Sequence, residues 1–429
     1  MDLPEHLTIQ KSRSYRPVAA VLGTEGEWEG GAIVREITSP VGVYLFGTLR
    51  DVMLWLLLAP NRRDRPFSAE DRGSRALQLA NSEAPPELAE SLTRLLSIGE
   101  GEIRQEDVSA ACLAIATWAH ANGAFQTELA FRQAAALALP DDMALSLATA
   151  RLARDQAQHR RAETWFRRAI KIARVKKDWT TYIRAYLGLG TMYSRLGNGP
   201  AAKAVIDRAL NAARRWRLRQ LAGEAHHDLL HVWVDAGDLR RAYEHARNAE
   251  LHYRAAPKQL LARLAGDIAT LWLRVGAARR AFPVFESVIP LSDDVGLRAV
   301  WSAQLVRCEA LCGRRDSYLP LREAAMVAIA QSPDPWRSAE ARVVLAWADL
   351  TLGEWEHAAS IAESALTLAL QIGATEVQAY AEQARADAWA HRREGARVEL
   401  LVDLPETPGL SRVADSMAGD LLEAVAARS

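Results

Sequence analysis

From Gln105 onward, the alternation of apolar and polar residues that marks a strand is nearly absent. Apolar and small residues instead recur in a long register punctuated by glycine. Gly197, Gly237, Gly276, Gly313 and Gly353 follow one another at intervals of 40, 39, 37 and 40 residues by subtraction. Four residues before them stand Tyr193, Trp233, Trp272, Glu309 and Asp349. Five residues after them stand Ala202, Ala242, Ala281, Tyr318 and Ala358, and twelve after them Ala209, Ala249, Val288, Ala325 and Ala365. Ala157 occupies the glycine slot one period upstream, with Ala162, Phe166 and Ala169 following in register. A degenerate copy is expected around Gly123 and another around Gly395.

This pattern predicts helical hairpins. Glycine ends one helix, because a left-handed backbone is cheap without a Cβ. The alanine five residues later lets the returning helix pack closely, and the aromatic before the turn fills the space between neighbours. No such hairpin covers its own apolar face, so each must stack on the next.

The residues that carry this register resemble the tetratricopeptide (TPR) repeat. Leu189-Gly190-x-x-Tyr193 followed by Gly197, Ala202 and Ala209 is similar to that motif. So are Trp233-x-x-x-Gly237 with Ala242, and Trp272-x-x-x-Gly276 with Ala281 and Phe285. The copies at Gly313 and Gly353 lack the aromatic, and the period exceeds the usual 34 of the family, as in longer variants of bacterial regulators and peptide receptors. The resemblance implies an all-α, right-handed superhelical solenoid and a protein- or peptide-binding scaffold or sensor, regulatory and not enzymatic. It places the array at residues 101–404, after an N-terminal extension at 1–100 and before a C-terminal capping helix at 405–429.

The extension is read locally. Thr24–Gly31 reads as an exposed turn and Ala32–Ile37 as a short strand. Val41–Pro60 has the length of a membrane span, but Arg50 and Asp51 sit at its middle, so a buried helix at Val52–Leu58 ending before Pro60 is expected. Ser68–Asp71 opens a helix as a capping box, and Pro85-Pro86 starts another through about Ser97. Beyond Pro408, Val413, Met417, Leu421, Leu422 and Val425 keep a helical stripe over Leu410–Ala427.

Composition narrows the classes. The chain has 429 residues, 49% of them hydrophobic and 25% charged, which excludes pervasive disorder, collagen and a polytopic membrane protein. Lys plus Arg and Asp plus Glu both number 53, so the chain is not a globally basic nucleic-acid binder. Three cysteines make no disulfide framework, and the N-terminus lacks a signal-peptide core, so a cytoplasmic setting is expected.

Three constellations could carry chemistry. In Glu224-Ala-His226-His227-Asp228-Leu-Leu-His231, His227 and His231 share a helix face as two metal ligands would. Without a third ligand visible in sequence, a polar stripe is the expected reading and no metal or cofactor is assigned. The TPR resemblance places the first helix of each hairpin on the concave groove. It thereby implies a ligand groove of Arg184, Thr191 and Arg195; then Glu224, His227, Asp228, His231 and Asp235; then Arg263, Asp267, Thr270 and Arg274. An acidic ligand bridging these arginines and meeting protonated histidines is expected to bind more tightly as pH falls, while Asp228 and Asp267 oppose this and could reverse the preference toward a basic ligand.

The second constellation is a basic block. Lys and Arg outnumber Asp and Glu by 18 to 4 between Arg151 and Arg219. It comprises Arg160, Arg161, Arg167, Arg168, Lys171, Arg174, Lys176, Lys177, Arg214, Arg215, Arg217 and Arg219, with Trp165, Trp179 and Trp216 interleaved. An acidic protein partner, or nucleic acid with bases stacked on the tryptophans, are the functional readings; against them, hairpin packing alone explains the tryptophans, and the charges, spread over two or three hairpins, need serve no specific partner. The third is Cys308-x-x-x-Cys312, expected to be two small core residues. No P-loop, dinucleotide fingerprint or serine elbow occurs.

Overall fold

The structure, a computed structural model, describes residues 29–57, 84–96, 103–274, 276–332, 334–372 and 374–393, with residue 98 and scattered positions in 73–80 and 419–426. Among the described residues every regular element is helical. Packing divides the chain into two units, Met1–Met192 and Tyr193–Ser429.

The first unit begins with α1 (Glu29–Glu36), α2 (Pro40–Leu57) and α3 (Pro86–Leu96). Two hairpins follow, α4 (Gln105–Ala121) with α5 (Phe125–Ala138), and α6 (Met143–Asp155) with α7 (His159–Lys176). Most of α8 (Trp179–Arg195) belongs to this unit, and its last turn to the second. The second unit continues with α9 (Gly199–Arg215), then α10 (Arg219–Asp235) with α11 (Leu239–Tyr253), and α12 (Lys258–Arg274) with α13 (Ala278–Val288). After a 3-10 turn at Ile289–Leu291 come α14 (Val295–Leu311) with α15 (Arg315–Gln331), α16 (Pro335–Leu352) with α17 (Trp355–Ile372), and α18 (Thr375–Trp389).

One backbone device makes every hairpin. Gly123, Ala157, Gly197, Gly237, Gly276, Gly313 and Gly353 all take positive φ, between 56° and 79°. The next residue then turns its N–H back to a carbonyl five positions earlier: Asn198 to Tyr193 (2.9 Å), Asp238 to Trp233 (2.9 Å), Ala277 to Trp272 (2.8 Å), Arg314 to Glu309 (3.0 Å) and Glu354 to Asp349 (3.0 Å). This is the six-to-one bond of a Schellman motif, which satisfies a carbonyl the helix end would orphan. The same residue often caps the next helix, as the Asn198 and Asp238 side chains accept from the N–H groups of Ala201 and Arg241. After α18 the left-handed residue is His391 (φ 50°), and Gly395 lies outside the described residues.

The small residues after the turns are core. Ala162, Ala202, Ala242, Ala281 and Ala358 are wholly buried, as are Ala169, Ala209, Ala249, Val288, Ala325 and Ala365. Two of the departures from the pattern explain each other. Tyr318 stands in the alanine slot of one hairpin and Asp349 in the aromatic slot of the next. The Tyr318 hydroxyl donates to the Asp349 carboxylate, which also takes two parallel bonds from Arg322 at 2.8 and 2.9 Å. Asp349 is fully buried, so this pairing replaces the apolar filling of the other turns with a satisfied polar one. Cys308 is buried and Cys312 partly so within the core, as expected, and burial pushes the Cys308 thiol pKa upward.

The extension corrects one expectation. Ala32–Ile37 is not a strand, because residues through Glu36 form α1. Ile33 is completely buried, and the Glu36 carboxylate accepts the N–H groups of Gln126 and Thr127 at 2.8 and 2.9 Å. That anchors the end of α1 on the first turn of α5, and this tertiary docking overrides the weak β-propensity of Ile33-Val34. The turn expected at Thr24–Gly31 lies mostly outside the described residues, and Glu29–Gly31 begin α1. α2 starts earlier than expected, at Pro40. It is the one described helix long and apolar enough to cross a membrane, but over half of it is buried within the protein. Its Arg50 and Asp51 pair with each other at 3.1 Å, Asp51 being buried. α3 lies where Pro85-Pro86 predicts it. The capping box at Ser68–Asp71 and most of Leu410–Ala427 lie outside the described residues. Leu421, though, is buried in the second unit's core.

Two stability outcomes follow from this packing. Ala242→Leu adds three carbons to a fully closed contact and should lower stability by about 1–3 kcal/mol. Asp349→Ala strands Tyr318 and the Arg322 guanidinium and should cost about 3–5 kcal/mol. Chemical denaturation reads both, and an unchanged midpoint in either variant contradicts the packing described.

Candidate functional site

In the second unit the first helices of successive hairpins, α10, α12, α14, α16 and α18, line one hollow. Its apolar part has a volume of about 380 Å³, with Leu271, Gln304, Arg307, Trp336, Trp347 and Tyr380 among its walls. A more polar part of about 210 Å³ is walled by His231, Arg263, Asp267, Trp301, Gln304 and Arg337. Val234, Thr270, Leu271, Gln304 and Glu340 belong to both, so the two parts are continuous.

The backbone approach that shapes this hollow is close. Gly266 on α12 lies so near the Trp301 indole that a Cβ there would stand 2.4 Å from the ring. Trp301 is thereby pressed flat between α12 and α14, and its buried ring forms part of the wall. Arginines stack on the remaining indoles. Arg195 lies 4.6 Å and Arg337 5.2 Å from the Trp336 ring centre, and Arg307 lies 5.0 Å from that of Trp347. Tyr380 meets Trp347 edge-on at 5.6 Å. These contacts hold guanidinium groups on aromatic faces beside the hollow. Gln304 is 5% exposed, and its side-chain oxygen has no hydrogen-bond partner among the described residues. An unbonded amide oxygen on a residue that lines a hollow favours a ligand that carries an N–H.

The polar end is built around Asp267. His227 Nε2 lies 2.8 Å and His231 Nε2 3.2 Å from its Oδ2, and the two imidazoles stack with centres 5.5 Å apart. Burial opposes ionisation of Asp267, yet the two imidazole hydrogen bonds outweigh it and hold its carboxyl well below the usual carboxylate range. Burial dominates at His227 and lowers its pKa. At His231 burial also disfavours charge, but the bond to Asp267 and the charges of Asp267 and Asp228 win, and its pKa is raised. Both imidazoles are therefore turned onto a carboxylate of the protein. They are not free cations awaiting an acidic ligand.

The other expected groove residues divide. Arg195, Asp235, Arg263, Asp267, Thr270 and His231 come together on or beside the hollow. Glu224 accepts from Gln220 at 3.0 Å, and Asp228 lies in the electrostatic field of His231. Arg184 and Thr191 belong to the first unit, where Thr191 bonds the carbonyl of Leu187 on its own helix. The Arg274 side chain lies outside the described residues. Gln304, Arg307, Glu340 and Trp347 were not among the expected residues, although the same register finds them. Thr191, His231 and Thr270 stand six residues before their turn glycines, and so do Arg307 and Trp347. Asp228 and Asp267 stand nine before theirs, and so does Gln304.

Behind α10 a second histidine group faces α11. Arg214 Nη2 lies 3.2 Å from His226 Nε2, and His226 Nδ1 lies 2.9 Å from His245 Nδ1. A guanidinium can only donate, so His226 Nε2 accepts and its proton sits on Nδ1, pointing at His245. Burial, then the charges of His245, Arg214 and His252, push the His226 pKa down to about 3. Burial also lowers His245 and His252.

The basic block separates between the two units. In the first unit α7 carries Arg160, Arg161, Arg167, Arg168, Lys171, Arg174 and Lys176, with Lys177 as its left-handed cap. Arg167 pairs with Glu163 at 2.7 Å, Arg168 donates to the Pro140 carbonyl at 3.0 Å, and Arg161 is half-buried. Burial lowers the Lys171 pKa, with Arg168 and Arg174 adding to the shift. In the second unit Arg214, Arg215, Arg217 and Arg219 surround the α9–α10 turn, and Arg214 is tied to His226. Trp165 is completely buried and donates to Gln133 at 3.1 Å, so it serves hairpin packing and cannot stack on a base. Trp179 is half-buried, whereas Trp216 is exposed with Arg215 beside it.

No family model matches this chain, and no curated protein matches it. Among solved structures, it is similar to the Rap conjugation gene regulator of plasmid pLS20 in complex with the Phr* peptide. The identity is 16%, over 81% of this chain and 96% of that one, with a TM-score of 0.43. The apo form of RapI is 13% identical over 81% and 99%, with a TM-score of 0.45. A signal-transduction ATPase with a tetratricopeptide repeat sensor from Pyrococcus horikoshii is 11% identical over 92% and 63%, with a TM-score of 0.46. These are likenesses of a TPR-like helical-repeat fold alone.

The second histidine group sets an acid limit on stability. His245 faces His226, Arg214 and Lys203, with Asp207 and Glu244 offsetting them in part. Its folded pKa lies below the ordinary 6.5, so above pH 6.5 both states are neutral and its packing contributes fully. Below that value the unfolded chain binds protons the folded chain refuses, and stability falls. Denaturation midpoints should therefore drop as pH falls below about 6.5, and His245→Gln should reduce that drop. An identical pH profile in the variant contradicts this assignment.

Proposed function

We propose that this protein is a non-enzymatic, cytoplasmic scaffold or sensor that binds an extended polypeptide segment along the hollow of its second unit. The observation that carries the reading is Gln304. Its buried amide oxygen has no partner and stands between an apolar recess and a rim of arginines. An extended segment supplies what this surface lacks. Its backbone N–H satisfies Gln304, and an apolar side chain fills the recess beside Trp336, Trp347 and Tyr380. Acidic groups on the segment meet the indole-stacked guanidinium groups of Arg195 and Arg307. A small polar metabolite would fill only one end of the hollow and leave the aromatic recess uncovered.

Peptide display selected against the intact chain supplies ligands, and tryptophan fluorescence follows their binding. Trp347→Ala removes a wall of the recess and should weaken the selected peptides by about 30-fold or more, the effect of a binding hot spot. Acidic residues should be enriched in the selected sequences, and Arg307→Ala should reduce that enrichment. Peptides that bind wild type and Trp347→Ala equally well would contradict the reading.

A further inference from the structure

The sequence offers two imidazoles one helical turn apart, and the fold brings them a third ligand. Asp267 comes from α12, the inner helix next to α10, and its Oδ2 stands against both Nε2 atoms at 2.8 and 3.2 Å. One ligand atom from each of the three residues lies within 4.8 Å of the others. We propose that His227, His231 and Asp267 form a divalent transition-metal site, with zinc the ion that suits it best.

The donor set selects the ion. Two imidazole nitrogens and one carboxylate oxygen are the ligands of three-residue zinc sites, which leave a fourth position open. Magnesium and calcium prefer oxygen donors throughout, so two nitrogens discriminate against them. His231 and Asp267 both border the polar part of the hollow, so the fourth position opens onto space that holds water or a ligand group.

The surroundings support ligation. For His227 to present the Nε2 lone pair, its proton must sit on Nδ1, and Tyr253 Oη lies 3.5 Å from that atom. Tyr253 is buried, with its ring edge-on to His227, so it holds the imidazole in the metal-binding orientation. Glu224 and Asp228 lie along the same side of α10 and add negative potential around Tyr253 and His231. Arg263 and Arg337 both face the site and oppose a cation, although Arg337 also pairs with Glu340 at 3.1 Å. The ion ties α10 to α12, two neighbouring walls of the hollow. His226, although adjacent in sequence, points the other way onto Arg214 and His245 and takes no part.

The site stands apart from the polypeptide reading, and either can fail alone, because metal binding is read without any peptide. Full-length protein stripped with a chelator is titrated with zinc by calorimetry, and with cobalt(II) by visible absorption. The expected result is one equivalent of zinc and the intense bands of four-coordinate cobalt. Asp267→Asn and His231→Ala should each abolish stoichiometric binding. The His231 side chain is 48% exposed, so its removal leaves the helical circular dichroism intact. Tyr253→Phe keeps the ring but loses the hydroxyl, and should weaken zinc by about 10- to 100-fold. His245→Ala should bind as wild type. The inference is overturned if the intact chain takes up no stoichiometric zinc or cobalt. It is equally overturned if Asp267→Asn and His231→Ala bind like wild type, or if His245→Ala abolishes binding.

Discussion

Everything in this molecule hangs on a left-handed residue that ends a helix and sends the next N–H back to a carbonyl five residues earlier. That bond fixes where each hairpin reverses, and so fixes which residues of the following helix meet the preceding one. The wholly buried alanines five and twelve residues later are its direct consequence, since only a small side chain fits where two helices diverge from a tight turn. A hairpin built this way leaves one face bare, and stacking on the next hairpin is the means of covering it. The first helices then stand side by side, which is how side chains some 40 residues apart, such as His227 and Asp267, come within hydrogen-bond distance.

Within that frame the second unit spends polar groups where the repeat requires apolar ones. Asp349, Tyr318 and Arg322 satisfy one another in the core, so the loss of an aromatic at one turn is matched by its gain at another. Along the hollow the balance differs. Gln304 keeps an unbonded buried oxygen, and Asp267 draws two imidazoles onto itself in a narrow polar end. A core polar group without a partner destabilises the folded chain. Its retention on a concave surface beside stacked arginines is the physical reason to look for a ligand there.

Much of the fold was legible in the sequence, because glycine and alanine at fixed intervals report backbone conformation and close packing, which are local demands. The turn at Ala157 was legible even without its glycine, since the neighbouring slots kept their identities. The site was legible only in part. Applying the register to three hairpins recovered His231, Asp267 and Thr270. Gln304, Arg307 and Trp347 escaped because the copies at Gly313 and Gly353 lack the aromatic that makes the motif easy to see. Ile33 and Val34 suggested a strand because short apolar runs carry no period. Their helix is decided by the distant contact of Glu36 with α5. Trp165 among its arginines suggested a stacking platform, although its indole was committed to Gln133 inside the protein.

The central claim is that the inner face defined by this register, and no other surface, receives a polypeptide. Hydroxyl-radical footprinting read by mass spectrometry, with and without a display-selected peptide, tests it most directly. Trp336, Trp347 and Tyr380 should become protected together, while Trp216 and Trp389, which are 42% and 68% exposed away from the hollow's walls, keep their reactivity. Protection of Trp216 or Trp389 with unchanged reactivity at Trp336 and Trp347 would contradict the account and place the binding surface elsewhere.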